Sequence, residues 1–135
     1  MKRILPFGLA SAIAIAALIS TLHAASPRVF FIEPKDGAEV SSPFKVKFGL
    51  EGLELKPAGD QTPSSGHHHL IIDGAPPPKG EFIPLSDKSL HFGKAQTEAE
   101  LTLPPGKHTL TMQLGDSGHI SYGPDLSATI TVNVK

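Results

Sequence analysis

Three of the seven histidines stand side by side in Ser65-Gly66-His67-His68-His69-Leu70-Ile71-Ile72-Asp73-Gly74. The neutral imidazole nitrogen is a common ligand for transition metals. On a strand, residues two apart project to the same side. His67 and His69 therefore share a face with Ile71 and Asp73, while His68 shares the other with Leu70 and Ile72. The second face is the more apolar and is assigned to the core. His67 and His69 are then an outward-facing pair able to close on one ion at metal–nitrogen distances of about 2.0–2.1 Å. His68 is expected as a buried, hydrogen-bonded ring at the edge of the core.

The remaining histidines are weighed by position. His91, in Leu90-His91-Phe92-Gly93, and His119, in Gly115-Asp116-Ser117-Gly118-His119, fall at loop–strand junctions, and one of them is expected as the third ligand. Asp116 is expected to orient an imidazole from behind, as carboxylates do in metal sites. His108 follows Pro104-Pro105-Gly106 and is in phase with Leu110, Met112 and Leu114. It is expected to be structural, hydrogen-bonding back to the turn. His23 would be a ligand only after cleavage behind Leu22, a poor site. With nitrogen and oxygen donors alone, Cu(II), Zn(II) or Ni(II) suits the set better than Cu(I). Glu98 and Glu100 read as a solvated strand face. No Gly-x-Ser-x-Gly elbow or phosphate-binding glycine loop occurs.

The elements that must position these residues are short strands. Residues 1–24 read as a cleaved signal peptide: Lys2 and Arg3, then an apolar run from Ile4 to Ile19, then small residues at Ala24-Ala25. The run is broken by Pro6 and Gly8 and falls short of the ~20 residues of a membrane span. The protein is therefore expected to be periplasmic or secreted, without a membrane span after cleavage. The chain carries 12 basic and 13 acidic side chains; loss of Lys2 and Arg3 leaves a formal charge of −3. That balance argues against a nucleic-acid partner. There is no cysteine, so neither a disulfide nor a thiolate is available.

Residues 25–135 read as one domain. Arg28–Glu33 reads as a strand, and Phe44-Lys45-Val46-Lys47-Phe48-Gly49-Leu50 alternates apolar and polar. So do Thr97–Leu103, His108–Leu114 and Leu126–Val134, with Pro104-Pro105-Gly106-Lys107 suggesting an antiparallel connection between two of them. About seven short strands with turn signals every ten residues or so predict an all-β, immunoglobulin-like antiparallel β-sandwich.

The segments Gly66–Asp73, Leu90–Glu98, Pro105–Leu110, and Gly115-Asp116 with His119 together resemble a family of small exported bacterial proteins catalogued as a domain of unknown function. Ala95 stands where that family's Gly-Lys-Gly-Gln-Thr-Glu segment has glycine. The resemblance implies an exported β-domain and no established activity. A looser likeness, of architecture and compartment alone, is to periplasmic copper-resistance sandwiches.

The residues favour an exported protein binding Cu(II) or Zn(II) as carrier or buffer, without catalysis. Its ligands would be His67, His69 and either His119 or His91, with the metal ion and a protein of the cell envelope as expected partners. The alternatives are a non-enzymatic envelope accessory module with structural histidines, and a copper-dependent oxidative enzyme.

Overall fold

The computed structural model describes residues 4, 8, 13–20 and 26–135. Most of the expected signal peptide, including its cleavage site and His23, lies outside the described residues. Nine strands follow in chain order: β1 (Arg28–Glu33), β2 (Ala38–Val40), β3 (Phe44–Glu51), β4 (Glu54–Leu55), β5 (Ser65–Ile72), β6 (Ser89–His91), β7 (Glu98–Leu101), β8 (Gly106–Gly115) and β9 (Ser127–Val134). A 3-10 turn, Pro124–Leu126, precedes β9.

The strands form two facing sheets. The smaller has the order β1-β3-β7; the larger has β2-β9-β8-β5-β4, with β6 also paired to β5. Taking β1, β3, β5, β7, β8 and β9 as strands A, B, C, E, F and G, these are the A-B-E and C-F-G groupings of the immunoglobulin sandwich. Two details differ from the expected pattern. Among the described residues there are nine strands rather than about seven, because the short β2, β4 and β6 fill the sheet edges. The sheets are also not wholly antiparallel: β2 pairs in parallel with β9, and β4 with β5.

The Pro104–Lys107 turn does not close a hairpin. β7 pairs with β3, whereas β8 pairs with β5 and β9, so the chain crosses here from one sheet to the other. Both strands alternate, and alternation identifies a buried face without identifying the neighbouring strand.

The core lies between the sheets. Val29, Phe44, Val46 and Phe48 of the smaller sheet meet Leu70, Ile72, Leu110, Met112, Leu114, Ile130 and Val132 of the larger. Each large apolar side chain buried there contributes roughly 1.5–3 kcal/mol.

The outer face of the larger sheet is also covered. Segments 80–83 and 119–121 pair with each other: Ser121 N–H donates to Glu81 O at 2.8 Å, and Ile83 N–H to His119 O at 2.8 Å. This lid presses Ile83, fully buried, onto the sheet. As a result every residue of β5 is buried, on both faces. Among the described residues no helix is long and apolar enough to cross a membrane.

Candidate metal centre

The centre is built on the middle of β5. In the antiparallel register with β8, His67 lies opposite Gly115 and His69 opposite Gln113; on the other side, His69 lies opposite His91 of β6. Opposed residues share a face, so these side chains gather under the lid. Gly115 is required by packing. A Cβ there would stand 2.5 Å from Cε1 and 3.0 Å from Nδ1 of His69. Gly66 likewise admits the backbone of β8, since its Cβ would meet the Gly115 carbonyl oxygen at 2.5 Å.

His119 arrives from the loop after β8. Asp116 Oδ1 accepts hydrogen bonds from the backbone N–H of Gly118 and of Ile120, each 2.9 Å, and His119 N–H donates to Asp116 O at 3.0 Å. The tight turn sets His119 at φ 62°, a left-handed conformation uncommon outside glycine. Its ring then faces β5. Nδ1 of His119 lies 2.9 Å from Nε2 of His67 and 3.0 Å from Nε2 of His69. The three nitrogens lie within 4.8 Å of one another and form a group able to hold a metal ion. Asp116 acts on this group through the backbone; its Oδ1 bonds amides of the turn rather than an imidazole.

His67 and His69 are fully buried, not outward-facing in the sense of reaching solvent. The face assigned to them is right, but the lid covers it. Burial, reinforced by the positive charge that neighbouring histidines would carry, pushes the His67 ring down to about 4 and the His69 ring to about 3. Burial also lowers His119. At neutral pH the three rings are therefore neutral, the protonation state that metal ligation needs. Nδ1 of His67 and of His69 has no hydrogen-bond partner among the described residues. Those atoms carry the proton when Nε2 is the coordinating nitrogen.

His91 adjoins the group without joining it. Its ring stacks on His119 with centroids 4.3 Å apart and meets His69 edge-on at 4.6 Å. Its Nε2–H donates to the Pro84 carbonyl at 3.1 Å. His68 faces the core as expected, its ring 5.2 Å from that of Phe48. The expected hydrogen bond is not seen at Nδ1, which is buried and has no partner among the described residues, and burial lowers the ring to about 4.

His108 is tied at both nitrogens. Nε2 donates to the Pro104 carbonyl at 2.7 Å, the turn contact expected from its position, and Nδ1 donates to Asp73 Oδ2 at 2.7 Å. Two acceptors favour the doubly protonated ring, and the Asp73 bond foremost raises it above its ordinary value.

Three contributors were not singled out from the sequence: Gly115, Ile83 and Gln113. Gln113 is fully buried beside His69, and its Nε2 donates to the carbonyls of Leu114, Gly123 and Leu126 at 3.0–3.2 Å. In sequence it is one polar residue in an alternating strand, indistinguishable from a solvated one.

Fold and site together define a β-sandwich carrying a buried imidazole cluster able to hold a metal ion. Residues 46–135 match the family described as Domain of unknown function (DUF4399), and the chain belongs to that family. The match spans all the histidines of the cluster. No curated protein matches the chain. No solved structure matches it either.

Proposed function

We propose that this is an exported metal carrier or buffer, holding one divalent ion on His67 Nε2, His69 Nε2 and His119 Nδ1. The observation that carries the proposal is the convergence of three neutral imidazole nitrogens, two of their separations being 2.9 and 3.0 Å. An ion about 2.0–2.1 Å from His119 Nδ1 and from either Nε2 would subtend those separations at about 90°, against the wider angles of tetrahedral zinc, and the remaining pair, within 4.8 Å, would have to stand within about 4.2 Å. That favours Cu(II), which accepts tetragonal nitrogen sites, over Zn(II). Export is supported by the Lys2-Arg3 start and apolar run; Ile13, Ile15, Leu18 and Ile19 of that run are exposed. The ion would be taken from, or passed to, another protein of the periplasm.

A second reading rests on the same distances. Separations of 2.9–3.0 Å are also ordinary hydrogen bonds, so the cluster would act as a structural network under the lid. Calorimetric titration of chelator-treated protein with Cu(II) and Zn(II) separates the two. A one-to-one Cu(II) site that raises the melting temperature and is lost in His119→Ala supports the carrier. Only weak multi-site heat, unchanged in that variant, would leave the structural network.

A further inference from the structure

We infer that His91 is the loading residue of the centre: a metal ion passes between solvent and the three buried nitrogens by way of His91 Nδ1. This rests on the metal-binding reading of the cluster.

The need for such a residue follows from burial. His67 and His69 are fully buried beneath Ile83 and the paired lid segments, so a hydrated ion has no direct path to them. Of the clustered rings only His91 and His119 are partly exposed. His119 Nδ1 already faces inward, toward His67 and His69.

His91 is prepared as a donor. Its Nε2–H is committed to the Pro84 carbonyl at 3.1 Å, so the neutral ring keeps the lone pair on Nδ1. A second-nitrogen contact to a backbone carbonyl is the device that fixes the tautomer of metal-ligating histidines. Within the cluster this contact is seen on His91, while Nδ1 of His67 and of His69 has no partner among the described residues. His91 nonetheless lies outside the group of three that converges. It stacks on His119 at 4.3 Å and touches His69 at 4.6 Å, one ring away from the ion. Phe82, 57 % exposed, stands edge-on to both His91 and His119 at 6.4 and 6.1 Å. A histidine with a fixed tautomer, part exposure and contact with two ligands is placed to strip water from an ion before the buried set takes it. Exchange of one nitrogen ligand for another avoids a bare ion in an apolar passage, which is the costly alternative.

The test is stopped-flow loading of the full folded domain with Cu(II), and stripping with excess chelator, in wild type, His91→Phe and His91→Asn. Phenylalanine keeps the stacked ring and removes the lone pair; asparagine offers a weaker oxygen donor in the place of Nδ1. His91→Phe is expected to slow both loading and stripping about tenfold while Kd stays within about threefold. His91→Asn is expected to fall between. Equal rates in wild type and folded His91→Phe would overturn the loading role and leave the three-histidine site standing. A large loss of affinity, with one fewer coupled nitrogen in the Cu(II) spin-resonance spectrum, would also overturn it, making His91 a resting ligand. Wild type that binds no Cu(II) would remove both this inference and the proposed function. If His91→Phe does not fold, slower exchange at equal Kd in His91→Asn is the expected result, and unchanged exchange the contrary one.

Discussion

Gly115 leaves the space that the His69 imidazole occupies: a Cβ at position 115 would lie 2.5 Å from Cε1 of that ring. The backbone of β8 is thus part of the centre as surely as its histidines. Gly115→Ala must displace either β8 or the His69 ring. The expected outcome is a Cu(II) affinity lowered at least about tenfold and a stability loss of about 1–3 kcal/mol from overpacking. Calorimetry and urea unfolding measure the two, and an unchanged Kd would show that His69 is not required as a ligand.

His67→Ala, His69→Ala and His119→Ala should separate by stability while agreeing on metal. His67 and His69 are fully buried, so truncation leaves a cavity and costs about 2–4 kcal/mol. His119 is partly exposed and ends a turn held by Asp116, so its truncation should cost about 1 kcal/mol or less. All three should lose the Cu(II) site. Retention of full affinity in His119→Ala would refute the assigned set.

Acid should affect the apo protein before it affects ligation by direct protonation. The folded His67 and His69 rings lie near 4 and 3, whereas in the unfolded chain they take up protons near 6.5. Between those limits the unfolded state binds more protons, so apo stability should fall as pH drops from about 6.5 toward 4. In the folded protein, the His67 and His69 nitrogens should lose little Cu(II) affinity to protons between pH 8 and about 5.5. Ordinary imidazoles would already compete with protons across that range. Circular dichroism melts and competition titrations check the two halves, and a steep affinity loss near pH 6.5 would contradict the burial argument.

The Asp73–His108 pair should give the opposite sign. Its raised ring stabilises the fold fully below about 6.5, and that contribution is lost as pH rises through the folded value. Asp73→Asn keeps the Oδ1 acceptor for Thr109 N–H and tolerates the left-handed φ of 55° at this position. It removes the charge that holds His108 protonated. The variant should therefore be destabilised more at pH 6 than at pH 9, with metal binding untouched. A pH-independent difference in unfolding free energy would show that the pair does not titrate with folding.

Ala95 adopts φ 58°, in the left-handed region where a Cβ is crowded. The glycine of the resembling segment is explained by that backbone. Ala95→Gly should stabilise the domain by up to about 1 kcal/mol, read as a higher urea midpoint. A lower midpoint would show that the strain is already relieved locally.

Much of this molecule is written in local pattern. Alternation in β3, β8 and β9 marked the core faces, because neighbouring residues of a strand must point to opposite sides. The same rule put His67 with His69 and His68 with the core. The Pro104 corner and the phase of His108 placed a structural imidazole whose contact with the Pro104 carbonyl is 2.7 Å long. Tertiary structure alone decided what lies over a face. Periodicity separates two sides of a strand but says nothing of a segment many residues away, so the lid at 80–83 and 119–121 and the full burial of Ile83, His67 and His69 were not legible. Nor was the choice of His119 over His91, which depends on a turn tied by Asp116 and on how that turn aims a ring across β5. The sequence determined that histidines would stand together on one face of one strand. Only the packing of distant loops buried that face, because burial comes from contacts between residues the chain keeps far apart.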